Sequence, residues 1–181
     1  MSFTREGLLF REVESYDLES LRAWRNNPEM AAGWRNPLSV QTEALQQAWY
    51  ESLNAANQAF LVHFGDGINL ADVDVPSLPT IGLLRFTLDY QMNEARITGT
   101  DIAPDYQGKG YGKRLLKGAS DYVQHTLGFH RVTAEGIDSN PGIHKVILSA
   151  GYELEGRLKQ YVWRDGEWHD WLLYARIRRT G

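Results

Sequence analysis

Gln107-Gly108-Lys109-Gly110-Tyr111-Gly112 stands after an extended run that ends at Ala103-Pro104 and before a helical run. In that helical run Leu115, Leu116, Ala119, Tyr122 and Val123 form one apolar stripe. Strand, glycine-rich turn and amphipathic helix in this order decide the fold. Glycine opens backbone conformations closed to other residues, so successive N–H groups of the turn can converge on one point at the positive end of the helix. The turn reads as an anion cradle, with phosphate the expected anion and Lys109, Lys113 and Arg114 beside it. Two nucleotide loops fail on spacing. A Walker loop needs Ser or Thr after Gly-Lys and a glycine five places before the second one, where this chain has Gly110 and Ala103. A dinucleotide fingerprint needs its third glycine at position 113, which is Lys.

Outward from the turn, the pattern predicts a mixed α/β sheet. Upstream, Leu8 to Val13 reads as a strand, and Leu18 to about Asn26 as a helix capped by Asp17 or Ser15 and stopped by Asn26-Asn27-Pro28. Thr42 to about Ala55 fits a second helix, and Phe60 to Phe64 a strand ended by Gly65-Asp66-Gly67. Ile68 to Thr80 has no period and reads as a surface insertion. Strands return at Ile81–Leu88 and at about Arg96–Ile102. Downstream, Gly128 closes the central helix and Arg131–Gly136 is a strand. A short helix from Ile143 to Ala150 ends at Gly151, and a hairpin follows, turning at Arg164-Asp165-Gly166.

Composition bounds the function. The chain of 181 residues is 43% apolar, ordinary for a globular protein, and residues 1–181 read as one domain. With no cysteine, disulfides, thiolate nucleophiles and cysteine-bound metal are excluded, and no metal is expected. A net charge of −4 carries no broad footprint for nucleic acid, and no stretch is long and apolar enough for a membrane span. A cytoplasmic protein is expected, as a monomer or homodimer. The six tryptophans fall in two groups near the chain ends, as packing or as the wall of a groove.

The run Ile102 to Gly112 resembles the Q/R-x-x-G-x-G/A motif of the GNAT superfamily of acetyl-CoA-dependent N-acetyltransferases. Asn140-Pro141, a short helix and Gly151-Tyr152 resemble the family's next block. Trp24-Arg25-Asn26 and Asp165 to Asp170 are similar to the branch of ribosomal-protein N-terminal acetyltransferases. The resemblance implies a central, mostly antiparallel sheet flanked by helices, with acetyl-CoA as cosubstrate. By that resemblance, amides of Gln107, Gly108, Lys109, Gly110, Tyr111 and Gly112 hold the pyrophosphate, with Lys113 or Arg114 near the phosphates. The strand end at Asp101, Ile102 and Ala103 meets the pantetheine arm, and Asn140 its thiol end. Asn before Pro-Gly is also a good helix cap.

The implied reaction is direct attack of a primary amine on the acetyl carbon within a ternary complex. An α-amino group with pKa about 8 is roughly a tenth neutral at pH 7, so a protein or peptide N-terminus asks least of a base. Small amines such as amino sugars, polyamines and aminoglycosides are the alternative acceptors, and a non-catalytic acyl-CoA sensor is the alternative function. The proton-transfer positions of the family are apolar here: Ile97 stands where the branch has Glu, Ile147 where many members have Tyr, and Ile143 where the branch has Ser. Asp101 and Tyr161 are the catalytic candidates, with Glu135, His144 and ordered water as substitutes.

Overall fold

The computed structural model describes residues 2–31, 40–65 and 78–179. Trp34 and most of the expected insertion, 68–77, lie outside the described residues. The strands are β1 Ser2–Arg5, β2 Leu8–Glu12, β3 Asn57–Phe64, β4 Gly82–Asp89, β5 Glu94–Ile102, β6 Arg131–Ile137, β7 Glu153–Arg164 and β8 Glu167–Ile177. The helices are α1 Leu18–Arg25, α2 Pro28–Ala31, α3 Glu43–Glu51, α4 Tyr111–Asp121 and α5 Pro141–Ser149. One sheet runs β1-β2-β3-β4-β5-β6-β8-β7. Every pair is antiparallel except β5 and β6. The expected mixed sheet with helices on its faces is what forms.

Alternation along the strands sorts the helices onto two faces. Phe60, Val62, Leu84 and Phe86 point toward α4 and pack with its Leu115, Leu116 and Ala119 in the larger core. Their neighbours Ala59, Leu61 and Leu83 point the other way and pack with Leu21 of α1, flanked by Trp24 and Trp49. Trp24 and Trp49 are thus packing residues. Trp163 and Trp168 cross edge-on, 5.4 Å apart and exposed at the far hairpin.

Several expectations are corrected. A hairpin precedes the first expected strand: β1 pairs with β2 through Glu6 and Gly7, whose φ values of 53° and 66° fit the tight turn that follows the sheet's twist. Its strand is short and polar, which hid it. Asp17 does not cap α1; its buried carboxylate takes two hydrogen bonds from Arg11, at 2.9 and 2.8 Å, and a third from the Glu14 amide. Pro28 stops α1 and starts α2, because the missing N–H costs nothing in a first turn. Thr42 caps α3 by accepting from the Leu45 amide, and that helix ends at Glu51, before Ala55. The central helix continues past Asp121 as one wider turn, Tyr122–Thr126, in which the Leu127 amide reaches back to the Tyr122 carbonyl.

Candidate active site

β5 and β6 pair at only three positions, Glu94 with Arg131, Ala95 with Val132 and Arg96 with Thr133, and then part. A register shift opposite Arg85 and Phe86 bends β5 away from its neighbour. The backbone of Ile97–Ile102 is left with an edge that β6 does not cover, beside a cleft of about 790 Å³. That cleft runs from Gln107, Gly112 and α5 at one end to Arg25, Glu29 and Gln41 at the other.

At the α4 end, Gly108 and Gly110 take φ values of 72° and 84°, and a Cβ built on either meets nothing within 4 Å. The space in front of the turn is open. The N–H groups of residues 108–113 have no acceptor among the described residues and stand before and in the first turn of α4, where the helix leaves its N–H groups unspent. The cradle fits a phosphate, and these residues would hold the pyrophosphate of a coenzyme A molecule. Two of the expected amides do not take part. The Gln107 N–H donates to the Pro104 carbonyl, and the Ala103 N–H to the Ile81 carbonyl, because a turn of 3₁₀ helix and the end of β5 need them. The Gln107 side chain instead ties the loop to the Ile102 carbonyl at 3.0 Å. Lys113 is exposed beside the cradle, and the Lys109 ammonium lies 5.8 Å from the Tyr106 ring. Arg114 is drawn aside, donating to the Glu6 carbonyl at 2.8 Å.

Asn140 is a helix cap and a cleft residue at once. Its Oδ1 accepts from the Ile143 amide at 3.2 Å, while the residue lines the cleft wall.

On the opposite face of the sheet, Arg85 and Gly99 are register partners, as are Leu83 and Asp101. Arg85 lies over Gly99, where a Cβ would come within 2.1 Å of Nη2, and so reaches Asp101 Oδ2 at 3.2 Å. Glu135 stands across the gap on β6, on the face opposite Val132 and Ala134, and accepts from Trp171 Nε1. Arg96 Nε is 3.8 Å from it. Asp101 and Glu135 therefore flank the gap from the two strands.

The other two candidates stand elsewhere. His144 is held at both nitrogens, Nε2 on the Ile137 carbonyl at 2.7 Å and Nδ1 on the Tyr174 hydroxyl at 2.9 Å, a structural arrangement. Tyr161 stands half-exposed on β7, its ring 6.4 Å from Trp171, and is not among the cleft-lining residues. Spacing alone had no means of showing this, because the irregular pairing of β7 between Leu158 and Val162 resets which way its side chains point. Arg85 is a cleft residue that the sequence alone did not point to, and Arg25 entered there only through the Trp24-Arg25-Asn26 resemblance, with no site role attached; that motif was the available signal.

The model for the acetyltransferase (GNAT) domain matches residues 7–153. The chain belongs to the GNAT acetyltransferase family. This GNAT enzyme is 28% identical to the [ribosomal protein uS5]-alanine N-acetyltransferase of Escherichia coli, over 95% of this chain and 88% of that protein. It is 23% identical to the spermidine N(1)-acetyltransferase of Vibrio cholerae, over 90% and 88%. Among solved structures, the Vibrio cholerae spermidine N-acetyltransferase in complex with CoA and spermine superposes with a TM-score of 0.80 at 22% identity, covering 94% of this chain and 95% of that one. A GNAT-family acetyltransferase from Bacillus anthracis superposes at 0.76 and 23% identity, covering 98% of each. The chain is an N-acetyltransferase of the GNAT type, an acyltransferase.

Proposed function

We propose that this N-acetyltransferase moves acetyl from acetyl-CoA to the α-amino group of a peptide or protein, by direct attack in a ternary complex. The observation that carries the reading is the gap between β5 and β6, open to both faces of the sheet. The phosphate cradle opens on the α4 and α5 face, and Asp101 and Glu135 stand on the α1 and α3 face. Cosubstrate and acceptor thus enter from opposite sides and meet at the uncovered edge of Ile97–Ile102. Bound acetyl-CoA supplies the activated thioester. Holding the amine in the same gap supplies much of the rate by proximity.

The cosubstrate contacts fall to the N–H groups of Gly108, Lys109, Gly110, Tyr111, Gly112 and Lys113, with Asn140 near the thiol end. An amide of β5 near Ile102 is placed to stabilise the oxyanion as the amine adds. Asp101 takes the proton from the attacking amine, with Glu135 across the gap as the alternative base, and collapse of the oxyanion breaks the C–S bond so that coenzyme A leaves as the thiolate and takes a proton from solvent. The likeness to an N-terminal alanine acetyltransferase supports the acceptor class, as does the higher neutral fraction of an α-amine at pH 7. A polyamine acceptor, as in the Vibrio cholerae relative, would bring its cations toward Arg25 and Arg85.

The test is release of free thiol from acetyl-CoA across a panel of N-terminal peptides, spermidine and amino sugars, with coenzyme A binding measured in parallel by thermal shift. Release with peptides is expected. Binding without release across the panel would instead make the protein a sensor of acyl-CoA.

A further inference from the structure

Among the described residues lining the cleft, three arginines, Arg25, Arg85 and Arg96, stand with three carboxylates, Glu29, Asp101 and Glu135, and the half-buried Arg25 forms no ion pair with any of them. Arg25, in the last turn of α1, packs over the Trp49 ring at 4.7 Å and donates to Gln46 Oε1 at 3.1 Å, a neutral partner. Arg85 meets Asp101 through Nη2, while its buried Nε has no acceptor among the described residues. Burial first, and then repulsion from Arg85, lower the Arg25 pKa to about 10; the attraction of Asp101 is the weakest of the three effects. Glu29, also on the cleft wall, is exposed to water, where its charge is screened. Arg96 is engaged separately, with Glu94 and Glu135.

A guanidinium offers five N–H donors in a planar fork that pairs bidentately with an oxyanion, and on a peptide acceptor that oxyanion is a carboxylate. Here two such forks line one wall, and among the described residues Arg25 meets one neutral oxygen, that of Gln46, while Arg85 Nε meets no acceptor. We infer that the acceptor carries a carboxylate close to its reacting amine, and that Arg25 and Arg85 bind it. The inference rests on the acetyl-transfer reading of the same cleft. In a longer peptide the carboxylate belongs to Asp or Glu at the second position; in a dipeptide it is the chain terminus. Either way the arginine pair selects the acceptor by charge and holds the amine over the gap.

The experiment measures Kd in the presence of coenzyme A, and KM for thiol release from acetyl-CoA. The acceptors are C-terminally amidated peptides beginning Ala-Glu, Ala-Gln and Ala-Lys, the dipeptide Ala-Ala with free or amidated carboxylate, and spermidine. Ala-Glu is expected to bind about tenfold or more tighter than Ala-Gln, the size of one charge-assisted hydrogen bond, with Ala-Lys weakest. A matching gain for free over amidated Ala-Ala would identify the chain terminus as a second source of the carboxylate. Arg25→Gln should bring the Glu-to-Gln ratio toward one while retaining coenzyme A binding, and Arg25→Lys should keep part of the ratio. A wild-type ratio near one for both the peptide and dipeptide pairs overturns the inference, as does spermidine binding as tightly as Ala-Glu; these arms decide even if Arg25→Gln does not fold. Preference for Ala-Glu in binding, with no thiol released from any acceptor, would keep the anion site and overturn the transfer reading instead.

Discussion

Replacing Gly110 by Ala separates backbone strain from ligand contact, because the fold contains a matched control. Gly110 has φ 84° and Gly128 has φ 86°, at the two ends of the same helical stretch, and a Cβ at either meets no atom within 4 Å. In both variants the new methyl group clashes with nothing in the protein. Each therefore loses only what a left-handed conformation costs an L-residue, about 1–2 kcal/mol. For a domain of this size that lowers Tm by about 2–8 °C, equally in both. Only Gly110 faces the unspent amides of residues 108–113. If they grip a pyrophosphate, its methyl group displaces at least one charge-assisted hydrogen bond, about 1.5–3 kcal/mol, or roughly 10–100-fold in coenzyme A affinity. Thermal melts of the unliganded variants and calorimetric titration with coenzyme A read the two effects independently. Undiminished affinity in Gly110→Ala, or an equal loss in Gly128→Ala, would refute the cradle.

Three other outcomes are expected. Asp101→Asn should reduce kcat by about 10²–10⁴ with coenzyme A affinity unchanged, and Glu135→Gln by less; an unaltered pH–rate profile removes Asp101 as the base. Gly99→Ala should cost about 1–3 kcal/mol, since the new Cβ would stand 2.1–2.6 Å from Nη2, Cζ and Nε of the partly buried Arg85 guanidinium, and should push Arg85 off Asp101 and reduce turnover; wild-type kinetics would show the pair to be idle. His63 is buried on β3, with Nδ1 on the Pro79 carbonyl and Nε2 without a partner among the described residues, and burial pushes its pKa below the usual histidine value. The unfolded chain binds that proton more readily, so the contribution of neutral His63 is complete above pH about 6.5 and is lost as pH falls through the lower folded value. Urea midpoints from pH 7 to 5 should fall more steeply for wild type than for His63→Leu, and parallel curves would contradict this.

The arrangement of strand, glycine turn and helix around Gly108 and Gly110 was legible in the chain because local physics sets it: only glycine enters the left-handed region at little cost, and an apolar stripe at helical spacing must be buried. For the same reason the proline stop at Pro28 and the Asn140 cap could be read residue by residue. β1 escaped because its four short, mostly exposed residues become a strand only by pairing with β2. The layout of the candidate site depends on tertiary structure. Parting of β5 from β6 after Arg96 opens the cleft, and register across β4 and β5 lays Arg85 over Gly99 onto Asp101. Burial brings Arg25, 60 positions away in the chain from Arg85, to the same wall. Local spacing carries backbone conformation and helix caps; which charges share a cleft depends on contacts between distant segments, and those exist only once the sheet has formed.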